Sequence, residues 1–163
     1  MKNKHSTLQP WLGLIARLTL GGVLFVAGYL KIDKADISQM AVRSYEMLPI
    51  PIANLLGLVL PPVEIALGAL LILGALTRVA AALGGFTMFI FIIGIAQAWA
   101  RGLNIDCGCF GGGGSVAAED TRYLQEILRD AGLVAMALFL IRYPVSKFSV
   151  DKASKQTNVG DMG

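Results

Sequence analysis

The chain has 163 residues, of which 55% are hydrophobic and only 15% charged, with a formal net charge of +3 and a mean hydropathy of +0.65. Soluble domains carry about 25% charged residues, so the deficit points to a membrane protein before any segment is inspected. The small, scattered positive charge and the lack of a basic stripe or RNA-binding motif argue against a nucleic-acid partner, and the single histidine, His5, cannot serve a histidine-based metal site or a Ser-His-Asp triad.

Residues 1–10 read as a polar cytoplasmic tail, with Lys2, Lys4 and His5 ahead of Pro10. Residues 11–30 are apolar except for Arg17 and Thr19. At a rise of about 1.5 Å per residue such a run crosses the roughly 30 Å hydrocarbon core. A cleaved signal peptide would have a shorter apolar run and a small-residue cleavage site, so a retained helix is expected. In residues 31–52, Ile37, Met40, Ala41, Tyr45 and Leu48 recur at helical spacing with Ser38, Gln39, Arg43 and Glu46 between them. That pattern predicts a short amphipathic helix on the membrane surface, ended by Pro49 and Pro51.

A second span is expected over residues 53–76, kinked or broken near Pro61 and Pro62, with Glu64 directly after at membrane depth. Thr77-Arg78 leaves room only for a tight turn. A third span follows over residues 79–99, with Gly84, Gly85 and Gly94 where neighbouring helices could approach, and Trp99 and Arg101 at its far interface. The fourth span, residues 123–142, has an outer half with two faces. Gln125, Glu126, Arg129 and Asp130 share one side, and Leu124, Ile127, Leu128 and Ala131 lie opposite. The whole is a single four-helix membrane domain over residues 11–143, followed by a polar tail over residues 144–163 in which disorder is expected.

Four spans put both termini on one side. That side carries Lys2, Lys4, Arg78, Arg142, Lys147, Lys152 and Lys155, against Lys31, Lys34, Arg43, Arg101 and Arg122 on the other. The positive-inside rule then places the termini in the cytoplasm and the loop after the third span in the periplasm or outside the cell. Both cysteines of the protein lie in that loop, as Cys107-Gly108-Cys109, next to Gly111-Gly112-Gly113-Gly114. Disulfide chemistry belongs to that compartment.

Cys107 and Cys109 invite three readings: a redox pair, half of a metal site, or two buried thiols. As a redox pair, they would close a small strained ring that the flexible Gly108 permits. Strain makes a disulfide a better oxidant and a poor permanent staple. Gly111 to Gly114 could supply loop flexibility or close approach to a partner's backbone. A metal site needs two or more further ligands, and Asp106 is the one nearby candidate, so no metal is expected. Within the membrane, Arg17 and Glu64 are expected to pair and lock the first span to the second. Gln97, Arg101 and Arg129, with Glu126 and Asp130, fall near the loop end of the bundle. They read either as a polar pocket for a quinone head group or partner, or as an ion-paired helix face with Glu126 bonded to Arg129.

Ala27-Gly28-Tyr29-Leu30-Lys31, Pro62-Val63-Glu64, Leu73-Gly74-Ala75-Leu76-Thr77-Arg78 and Ala80-Ala81-Ala82 resemble the DoxX-like membrane proteins. Asp106-Cys107-Gly108-Cys109-Phe110-Gly111 resembles the MauE branch, the methylamine utilisation protein family. The resemblance covers roughly residues 11–143. It implies a four-helix bundle in the bacterial inner membrane, similar in outline to DsbB and VKOR. It also implies work with an exported thioredoxin-like protein in forming disulfides, with methylamine dehydrogenase as the target in methylamine users, and electrons passed to a quinone. This chain departs from DsbB in having one cysteine pair where that enzyme has two. The leading expectation is a membrane thiol–disulfide oxidoreductase acting through Cys107 and Cys109. A membrane anchor or assembly factor with a structural disulfide is the second, and a transporter built around Glu64 the third.

Overall fold

The computed structural model describes residues 5–108, 111–117 and 121–144. They form α1 (His5–Ile32), α2 (Ala35–Ser44), α3 (Ile50–Leu73), α4 (Thr77–Ala100), the two-residue strands β1 (Ile105–Asp106) and β2 (Gly114–Ser115), and α5 (Tyr123–Arg142). Three helices are long and apolar enough to cross a membrane, over Gln9–Ile32, Ile50–Leu73 and Thr77–Ala100. Cys109 and the tail beyond residue 144 lie outside the described residues.

The bundle is held by close helix approach at small residues. α1 runs antiparallel to α3. A Cβ added at Gly28 would stand 2.5 Å from the Pro61 carbonyl oxygen, one at Gly21 would stand 2.9 Å from Leu71 Cβ, and one at Gly68 would stand 2.6 Å from the Phe25 nitrogen. Gly84 meets Leu24 and Gly85 meets Ala137, which brings α4 against α1 and α5. Between the helices lies a core of Leu20, Leu24, Leu67, Leu71, Met88, Leu133 and Leu140, with Ala80, Ala81 and Ala137 keeping the axes close. Outward faces carry Trp11, Ile15, Leu55, Phe86, Phe89, Leu128 and Leu138. Large exposed apolar side chains on every long helix are what a lipid-facing surface requires.

The α3–α4 turn closes with a Schellman pattern: Gly74, at φ 69°, donates to Leu71, and Ala75 donates to Leu70. On the same side, Arg78 Nε donates to the Ile141 carbonyl 3.1 Å away, tying the start of α4 to the end of α5.

Three expectations are corrected. α1 starts at His5, well ahead of Trp11. α3 runs through Pro61 and Pro62 without a break. Pro61 has no N–H to give the Gly57 carbonyl four residues earlier, and Ser38 of α2 supplies the missing donor, with Oγ 2.6 Å from that oxygen. Ser38 is thereby on the buried face of α2 with Ala41, while Met40 is exposed. The third correction concerns the buried ion pair. Glu64 pairs with Lys31, Nζ to Oε2 at 2.7 Å, with side chains 3% and 1% exposed. Arg17 is also buried, but the helix register keeps it away from Glu64. With Gly28 on Pro61–Ile65 and Gly21 on Gly68–Ile72, Glu64 falls level with Ala27. Lys31 is one turn from that level, whereas Arg17 is some 15 Å along the axis.

Candidate functional site

The cysteine loop sits at the end of the bundle formed by the C-termini of α1 and α4 and the N-terminus of α5, and it rests on α2. β1 and β2 pair antiparallel, with Ile105 opposite Ser115 and Asp106 opposite Gly114. The Val116 amide donates to the Asn104 carbonyl beyond them. The sequence reading had no hairpin here, because two-residue strands have no periodicity to detect.

Two tyrosines fix the hairpin from opposite sides. Tyr45, just past α2, donates its hydroxyl to the Cys107 carbonyl at 3.1 Å. Its ring lies against Gly94 of α4, where an added Cβ would come within 3.1 Å of it. Tyr123, the first residue of α5, accepts from the Ile105 amide at 2.9 Å and donates to the Leu103 carbonyl. Both tyrosines, Ile95, Ala98, Ile105 and Cys107 form one buried cluster, with Phe91, Leu103 and Ile127 packed on it. Cys107 is 6% exposed within it.

The glycines are seated in this arrangement. Gly108 adopts φ 69° and donates its amide to Asp106 Oδ1 at 2.8 Å. Added Cβ atoms at Gly108 and Gly113 would fall 2.5 and 2.6 Å from Ala41 Cβ, and one at Gly112 would fall 2.6 Å from Asp106 Oδ2. The close backbone approach anticipated at Gly111 to Gly114 is made to this chain's own elements: Gly111 lies against Leu30 of α1 and Gly113 against α2.

The chemistry concentrates at Cys107. Its Sγ and one carboxylate oxygen each of Asp106 and Glu126 lie within 4.8 Å of one another. Glu126 Oε2 is buried and has no hydrogen bond of regular geometry among the described residues. Such contacts commonly tighten only in the reacting complex. The trio holds one carboxylate more than the sequence reading placed beside the cysteines. Glu126 reaches Cys107 because it lies in the first turn of α5, which starts at the loop.

Gln97 and Arg101, expected in a cofactor pocket, come together on the C-terminus of α2. Gln97 Nε2 donates to the Tyr45 carbonyl at 2.8 Å. Arg101 Nη1 lies 3.3 Å from the same oxygen, and Nη2 pairs with Glu46 at 2.8 Å. These bonds satisfy carbonyls that a helix end leaves open. Arg129 is bonded to its neighbour Asp130, Nη2 to Oδ1 at 2.8 Å, with Asp130 fully buried. Arg129 is thus ion-paired with Asp130, its neighbour in the chain. Beside the hairpin is a surface depression of about 580 Å³ lined by Trp99, Thr121, Arg122, Tyr123, Leu124 and Gln125. The Trp99 and Tyr123 rings are 6.1 Å apart there.

The sequence pattern of the family described as methylamine utilisation protein MauE matches residues 9–143. The chain belongs to the MauE family. The methylamine utilization protein MauE of Paracoccus denitrificans is 32% identical to it over 133 residues, which is 80% of this chain and 69% of that protein. No solved structure matches the chain. The MauE match takes in α2 to α5, nearly all of α1 and the cysteine loop, so the site belongs to the family's domain and not to an appended segment.

Proposed function

We propose that this MauE-family protein is a membrane thiol–disulfide redox protein that supports disulfide formation in exported proteins, in a role linked to methylamine utilisation. The observation that carries the reading is the placement of Cys107, buried and fixed at the end of an apolar bundle with two carboxylates at its sulfur. A thiol kept only for packing needs no such neighbours.

In this reading α5 is the fourth span, since Leu124, Leu128 and Leu138 are exposed along it. Both termini are cytoplasmic and the hairpin faces the periplasm of the inner membrane. Burial of Lys31 with Glu64 removes one cation from the loop side of the charge count, which strengthens that orientation. A cysteine placed at Ala75 should label from the cytoplasm, and one placed at Asn104 from outside.

A reduced thioredoxin-like partner attacks the Cys107–Cys109 disulfide and leaves with a disulfide of its own. Two electrons and two protons stay on the pair as two thiols. Re-forming the disulfide needs a two-electron acceptor, and a quinone would supply one by taking up the two electrons and two protons. Gln97 and Arg101 are engaged on α2, and the depression beside Trp99 and Tyr123 would offer a quinone ring aromatic faces to stack on.

The test is the reduction potential of the pair in detergent-solubilised full-length protein, equilibrated in glutathione buffers and read by alkylation mass shift. A value well above about −230 mV is expected. A value below about −300 mV would describe a structural staple, and the protein would then be a membrane anchor or assembly factor.

A further inference from the structure

Among the ionisable groups of the buried interior, Glu126 is set apart by its partner. Glu64 is held by Lys31 and Asp130 by Arg129. Asp106 spends Oδ1 on the Gly108 amide. Glu126 instead brings a carboxylate oxygen within 4.8 Å of the Cys107 sulfur. We propose that Glu126 is the proton acceptor and donor for Cys107 in thiol–disulfide exchange; the proposal rests on the redox reading above.

The argument is one of charge. The thiolate is the nucleophile in exchange. Cys107 is 6% exposed, so water is poorly placed to remove its proton. Releasing that proton to solvent would also create a new anion beside Asp106 and Glu126 in a partly desolvated site. Passing it to Glu126 creates none. One negative charge moves from carboxylate to a sulfur within 4.8 Å of it, and the total charge of the site is unchanged. The other groups facing Glu126 are Asp106 from the loop and Arg129 and Asp130 from α5. Packed around Cys107 are the phenols of Tyr45 and Tyr123, and α4 presents only apolar Phe91, Ile95 and Ala98. Among the described residues packed around Cys107, no group besides the two carboxylates is a base near neutral pH.

The step balances without a further oxidant. As Cys107 Sγ attacks one sulfur of a disulfide, its S–H bond breaks and the proton passes to a Glu126 oxygen. A new S–S bond forms, the old one breaks, and the departing thiolate takes a proton from water. In the reverse direction Cys107 leaves as a thiolate and recovers its proton from the protonated Glu126.

The experiment uses full-length protein in nanodiscs carrying Cys109→Ser, which leaves Cys107 as its one thiol. Reaction with dithiodipyridine, a small disulfide, is followed by thiopyridone release from about pH 5 to about pH 10. Glu126→Gln should slow the reaction about tenfold or more near pH 7. The two curves should converge at high pH, where hydroxide forms the thiolate, and Glu126→Asp should lie between them. Equal rates at every pH overturn the proposal, and so does one constant factor of slowing, which is a packing effect. A faster Glu126→Gln variant also overturns it, because loss of a neighbouring negative charge alone would give that result. If Glu126→Gln does not fold, the Asp variant decides by the same criterion of convergence. If the parent is inert at every pH yet reacts once denatured, the thiol–disulfide reading itself fails and takes the proposal with it.

Discussion

Ser38 donates to the Gly57 carbonyl that Pro61 leaves without a partner, across 2.6 Å between α2 and α3. A buried carbonyl stripped of its donor costs about 1–3 kcal/mol. Ser38→Ala should therefore destabilise the protein by that amount in micelle unfolding assays. In a Pro61→Ala background an N–H returns to the helix ladder, and the same substitution should cost clearly less. An equal cost in both backgrounds would refute the link between the proline and the serine.

Lys31 and Glu64 form a nearly solvent-free ion pair between α1 and α3. Removing one member of such a pair leaves the other buried and uncompensated, at about 3–5 kcal/mol. Lys31→Met should lose stability on that scale. The double variant Lys31→Met, Glu64→Leu should recover most of it, because an apolar pair of similar size is well tolerated in the interior. Arg17→Met should leave the cost of Glu64→Leu unchanged, since Arg17 lies at another level of α1; coupling between them would contradict the register.

These two relationships show what the sequence could and could not disclose. The run of apolar residues made the long helices legible, but the turn expected at Thr77-Arg78 comes earlier, at Gly74, and Thr77 already opens α4. The cysteine loop was legible as special from its residue types alone. What stayed hidden depended on pairing between distant parts of the chain. Whether Glu64 meets Arg17 or Lys31 is decided by the close contacts of Gly21, Gly28 and Gly68, and composition does not encode that register. Ser38 was read as polar and therefore outward, yet its role is set by a proline 23 positions later in the chain. Glu126 could be assigned to the loop end, but its contact with Cys107 depends on a hairpin too short to leave a pattern.

The glycines of α1 and α3 divide sharply. A Cβ at Gly68 would meet the Phe25 backbone at 2.6 Å, whereas one at Gly22 meets nothing within 4 Å. Gly68→Ala should separate the two helices and cost about 1–3 kcal/mol. Gly22→Ala should be neutral or stabilise by up to about 1 kcal/mol, from helix propensity. Thermal unfolding of the two variants side by side checks the pair.

Tyr123 holds the hairpin through a hydroxyl that both accepts from Ile105 and donates to Leu103. Tyr123→Phe keeps the ring in the cluster and removes both bonds. Local opening should become easier by about 1–3 kcal/mol, so alkylation of Cys107 should accelerate between about fivefold and a hundredfold. Global stability should change much less than the alkylation rate, which separates a loosened loop from a loosened bundle.

Ala41 touches the cysteine loop at two places, beneath Gly108 and beneath Gly113. One methyl group thus occupies the space that two side chains would otherwise need. Position 41 and the two glycines should consequently drift as a set during evolution, with a bulkier residue at any one of them requiring a rebuilt loop. The short helix that carries Ala41 acts as a template against which the loop is cast, and variation in its sequence should be read as variation in the cysteine loop.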